Sequence, residues 1–141
     1  AWQGITYSTQ RFDLLIVSIC GAGIYVSLET IKYSIELYNI NTIILPKLAG
    51  LFFVFGIMSN FLSQIFGKKA NYNDYLMCEA EIDKLNESGE SEKKKLENES
   101  KDYDEKSEKF SKRTKHFNTL SMILMFIAMI LTTIFFMFFL Y

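Results

Sequence analysis

Leu120 to Tyr141 reads LSMILMFIAMILTTIFFMFFLY, a run with no charge, no glycine and no proline. A helix needs about 20 apolar residues to cross the hydrocarbon of a bilayer. In lipid every backbone N–H and C=O must be satisfied within the protein, so a run of this kind crosses as a helix. It has no water-soluble reading, and it decides the class of the chain: an all-α membrane protein.

Two earlier runs fit the same description. Thr42 to Gly67 holds a single charge, Lys47, close to its start. Pro46 is tolerated there because the first turn of a helix has no partner for that N–H, and Thr42 suits an N-cap. Leu14 to Leu28 is apolar for only the length of a signal-peptide core, but continuing through Glu29, Thr30 and Ile31 to Tyr33 brings it to spanning length. No small-x-small cleavage site follows it, and Ile19 before Cys20 does not suit a lipoprotein signal. The spacing therefore predicts transmembrane helices over about 13–33, 43–67 and 118–141, the first two lying in a unit 1–67 that begins with a polar tail.

Half of the residues are hydrophobic while 22% are charged, and segregation reconciles the two figures. Of 15 Lys+Arg and 16 Asp+Glu, 12 basic and 13 acidic residues fall between Lys68 and Lys115. Charge at this density suggests a solvated or disordered linker, but the apolar residues inside it are periodic. Tyr75, Cys78, Ile82 and Leu85 repeat at 3, 4, 3, and Leu96, Tyr103, Phe110 and Phe117 repeat every seven residues. The sequence ESGES around Gly89 interrupts them. Segment 68–117 is thus expected to be an antiparallel, coiled-coil-like helical hairpin with its turn at 87–91, those eight residues forming its seam. The helix that begins near Ser91 is expected to run on into the third membrane helix.

Orientation follows from basic residues at the membrane ends. Lys68 and Lys69 leave the second span, and Lys109, Lys112, Arg113 and Lys115 lead into the third. The positive-inside rule then puts the charged segment and the amino terminus in the cytoplasm, Tyr141 outside, and the chain in the cell (inner) membrane. Trp2, Tyr7, Phe12, Tyr33, Tyr38 and Tyr141 are placed as interfacial anchors, and Asp13 at the inner boundary.

Membrane helices associate where small or hydrogen-bonding residues let their backbones approach. The second span carries such a stripe in Ala49, Gly56, Asn60, Ser63 and Gly67, and the third in Ser121, Met125, Ala128 and Thr132. The first offers two, Ser18 with Ala22 and Gly23 with Ser27. These stripes either pack the helices or line a polar path. Asn60 favours the path most, because a full amide deep in a span must find a partner or water. Glu29 and Lys47 fall near the outer interface, where they pair or snorkel to water.

Chemistry is not written into the chain. His116 is the lone histidine, Cys20 and Cys78 lie in different environments, and there is no phosphate-binding loop, nucleophile elbow or metal-ligand pattern. The reading is a non-enzyme with no cofactor and no metal. A net charge of −1 argues against nucleic-acid partners. Two functions remain. One is a protein that self-associates in the lipid bilayer as a channel, pore or membrane-perturbing assembly, with the cytoplasmic hairpin as its sensing or oligomerisation element. The other is an accessory or scaffold subunit of a larger membrane complex, with the hairpin recruiting a cytoplasmic protein and Met122, Met129, Phe135 and Phe136 facing lipid or a partner helix.

Overall fold

The computed structural model describes the backbone of residues 2–37 and 43–139 and the side chains of 12–35 and 43–138. Every described element of any length is α-helical: α1 (Trp2–Leu37), α2 (Ile44–Asn86) and α3 (Glu90–Phe139). Each contains a window long and apolar enough to cross a membrane, with mean hydropathy 1.9, 1.7 and 2.5 in chain order. Only 17%, 33% and 22% of those windows is buried within the chain. Most of that apolar surface therefore needs lipid, since water would charge roughly 25 cal/mol for each Å² left exposed. Thr42, Tyr38, Tyr141 and the side chains of Trp2 and Tyr7 lie outside the described residues.

Pro46 sits in the first turn of α2, where its missing N–H costs nothing. The link between α2 and α3 is only 87–89. Glu87 closes α2 by donating its N–H to the Asp83 carbonyl at 3.0 Å, and its carboxylate accepts from the N–H groups of Ser88 and Gly89. The Gly89 carbonyl accepts the N–H of Lys93 at 3.0 Å, which starts α3, with Glu90 and Glu92 suitably acidic for its first turn. From there α3 continues without a break for 50 residues, as its sequence led us to expect.

The chain divides into two compact units, one of Ala1–Phe61 with Asn118–Tyr141 and one of Leu62–Phe117. In the first, Ile16 and Cys20 of α1, Phe53 of α2, and Met125 and Ala128 of α3 form the core. Its helices approach closely at small residues. Cys20, Ser27 and Ser34 recur every seven residues on the buried face of α1, and a Cβ added to Gly50 would stand 3.3 Å from that of Ser27. The Phe53 ring lies over the Cα of Gly23, where an added Cβ would meet it at 2.4 Å.

In the second unit, the α2 and α3 segments touch along their length. Ser63 donates to the Thr114 carbonyl at 3.0 Å, Ser107 donates to Asp74, and Lys84 pairs with Glu97 at 3.1 Å. The Phe66 ring stacks on both Phe110 and Phe117, at 6.2 and 5.5 Å between centroids. Small residues again sit at seven-residue spacing: Ser63 and Ala70 on α2, Ser100 and Ser107 on α3, all buried.

Candidate functional site

Two features outside ordinary packing stand out, a polar seam in the first unit and an outward apolar face in the second. The seam centres on Asn60, whose side chain is fully buried. Its Nδ2 donates to Asp13 Oδ1 at 3.1 Å, joining α2 to α1. A buried amide that finds a carboxylate has met its need for a partner without water. Gly56, one turn earlier, brings α2 against both neighbours: an added Cβ would lie 3.3 Å from Cys20 Sγ and 3.6 Å from the Ser121 carbonyl oxygen. Ala49, Ser59, Ser121, Met125 and Ala128 are buried as well, and Thr132 is half-buried with its hydroxyl donating to the Ala128 carbonyl. Ser27 Oγ and Ser121 Oγ are buried without a hydrogen-bond partner among the described residues.

Most of the expected stripe residues therefore face inward, while Ser63 and Gly67 belong to the second unit, both beside Thr114. Of the two α1 options, Gly23 with Ser27 faces the core and Ser18 with Ala22 is exposed. Glu29 does not reach Lys47; it pairs with Lys32 on its own helix at 2.7 Å. Phe135, expected at the surface, is buried, with its ring edge-on to Phe136, while Met129 and Phe136 are exposed.

The first arm of the second unit turns a different face inward from the one its periodicity suggested. Tyr75, Ile82 and Leu85 are 62%, 57% and 83% exposed, and Cys78 is exposed with them. Ala70 and Ala80 are buried instead, with Asp74 bonded across to Ser107. The physical reason is size. Small residues permit the close approach that lets Asp74 reach Ser107 and Lys84 reach Glu97, whereas the larger apolar side chains would hold the helices apart. On α3, by contrast, Leu96, Tyr103, Phe110 and Phe117 are half-buried, and the last two carry the ring stack on Phe66.

The polar surface of these arms is braced by ion pairs: Lys101 with Glu97 at 3.0 Å, Lys106 with Asp102 at 2.6 Å and Lys112 with Glu108 at 2.9 Å. Hydrogen bonds from Lys101 and then Lys84 hold the Glu97 carboxyl below its ordinary range, and Lys112 does the same for Glu108. Among the described residues, no cluster of three or more His, Cys, Asp or Glu is arranged to hold a metal ion. His116 lies exposed, edge-on to Phe117.

No protein-family model, curated protein or solved structure matches the chain.

Proposed function

We propose that the chain is a non-enzymatic integral membrane protein that self-associates, with residues 68–117 forming a cytoplasmic antiparallel helical hairpin whose outer face joins one copy to another. The observation that carries this is the exposed stripe of Tyr75, Cys78, Ile82 and Leu85. In lipid, exposed apolar residues are ordinary; in the charged segment that water must solvate, a helical stripe of them asks for cover. Copies in one membrane share an orientation, so a two-fold axis along the membrane normal would lay identical stripes side by side and parallel. The assembly's task is a channel, a pore or another perturbation of the membrane, and within it the Asn60–Asp13 pair serves packing.

Mass measurement of the purified chain in mild detergent tests the reading. A dimer or higher oligomer is expected, reduced to monomer by Ile82→Asp with Leu85→Asp. A monomer at every concentration would overturn it. One observation favours a second reading: Glu79, Glu81 and Asp83 are exposed on the same arm as the stripe, and a basic amphipathic helix of a larger complex would fit such a face. Co-purification of a stoichiometric partner with the wild-type chain, lost in the same double variant, would select that accessory-subunit reading.

A further inference from the structure

The charges of the second unit are sorted along its length. Where the apolar run of α2 ends, Lys68 and Lys69 follow at once; where that of α3 begins, Lys109, Lys112, Arg113 and Lys115 precede it. All six are exposed, and Glu108 is the one carboxylate among residues 62–70 and 108–117. The rest of the arms, 71–107, carries twelve acidic residues against six basic. Positive charge is thus concentrated next to the apolar runs, as a collar on a unit that is acidic elsewhere.

The collar is braced as well as charged. Lys69 of α2 lies over the Phe110 ring of α3 at 5.7 Å, and Arg113 of α3 lies over the Phe66 ring of α2 at 5.6 Å. These reciprocal cation–π contacts hold two cations at the outside of the helix pair without neutralising them. Lys112 is paired with Glu108, but Lys68, Lys109 and Lys115 have no acidic partner among the described residues.

We propose that this collar is a binding site for the headgroups of anionic phospholipids, with Lys68, Lys109 and Lys115 as the cations that meet phosphate. Basic clusters directly beside a membrane helix attract anionic lipid, each Lys or Arg adding about fivefold to the preference, and the attraction fades beyond a Debye length. The proposal does not depend on what covers the Ile82 and Leu85 stripe. Orientation by the positive-inside rule needs only charge; here the cations also project from two helices joined by the Lys69–Phe110 and Arg113–Phe66 contacts, so selective retention of lipid is the distinguishing property.

The test uses the full chain purified in mild detergent and offered equal amounts of phosphatidylglycerol and phosphatidylcholine, with retained lipid counted by native mass spectrometry. Retention of phosphatidylglycerol over phosphatidylcholine is expected, weakening as salt rises. The triple variant Lys68→Gln, Lys109→Gln, Lys115→Gln should lose this preference on the order of 100-fold, about fivefold per cation. The matching Lys→Arg triple should restore it. Lys93→Gln, Lys94→Gln, Lys95→Gln, which removes equal charge from the distal arm, should leave it intact. Equal retention of the two lipids by the unmodified chain, a distal variant that loses as much as the collar variant, or displacement of lipid by inorganic phosphate at the same concentration would each overturn the proposal.

Discussion

Gly23 and Gly21 are two residues apart on α1 and make opposite demands. A Cβ at Gly23 would be driven into the Phe53 ring, itself buried in the core, while a Cβ at Gly21 meets nothing within 4 Å. Gly23→Ala is expected to cost about 1–3 kcal/mol through overpacking. Gly21→Ala should be neutral or slightly stabilising, because alanine is the better helix former by about 1 kcal/mol. Thermal unfolding of both variants in the same detergent checks the contrast; equal effects would mean the Phe53 contact is absent. Asn60 makes a second demand at this scale. Asn60→Leu removes its donor to Asp13 and should cost roughly 0.6–2 kcal/mol of helix association, the usual worth of a membrane hydrogen bond. Vesicle flux separates packing from pore lining: if the unmodified chain conducts, a packing role leaves the conductance of the surviving oligomers unchanged in the variant, and a lining role lowers it.

At the scale of the element, the second unit shows why a helix's apolar period is not the same thing as its seam. The arms exist where the apolar period and the Gly89 interruption implied helices, and α3 is continuous as its sequence suggested. Which face of α2 turned inward was not legible from hydrophobicity, since Ala70, Ala80 and Asp74 outcompete Tyr75, Ile82 and Leu85 by allowing close approach and polar contacts across the pair. A search for small residues every seven positions, such as Ala49, Gly56, Ser63 and Ala70 or Ser100 and Ser107, carries the missing signal. In the first unit the same kind of signal was legible, because lipid offers large apolar residues no reason to pair, leaving small ones as the guide. Asp13 as the partner of Asn60 was not, because the sequence cannot say which turns of two helices stand level. Ile82→Asp with Leu85→Asp should leave helicity unchanged by circular dichroism, since neither side chain is buried in the chain; a marked loss would place them back in the seam. The Glu97 carboxyl, held low by Lys101 and Lys84, favours the folded arms above the unfolded glutamate value of 4.5, and that contribution is lost as pH falls through the lower folded value. The melting temperature should fall with acidification below that point, and Glu97→Gln should flatten this part of the profile.

For the whole molecule, sidedness is the property that decides between functions, because only the side on which the charged arms emerge can supply their partners. Two sequons lie in the arms, Asn86-Glu87-Ser88 and Asn98-Glu99-Ser100. With the arms in the cytoplasm, neither should be glycosylated when the chain is expressed in a glycosylating membrane system, and modification of either would reverse the orientation. Reversal would also move the collar of lysines to the opposite leaflet.

The two cysteines differ in a way that makes the chain its own reporter. Cys20 is sealed in the core beside Gly56, whereas Cys78 stands open in the exposed stripe. A membrane-impermeant maleimide should therefore label one thiol per folded chain, and only from the face on which the arms emerge. If identical stripes lie parallel, mild oxidation should join Cys78 to the same residue of a second copy and so shield it from the label, while Cys78→Ser abolishes the cross-link and Cys20→Ser does not. A thiol that labels fully at every protein density and never cross-links would show the stripe to be uncovered by its own kind.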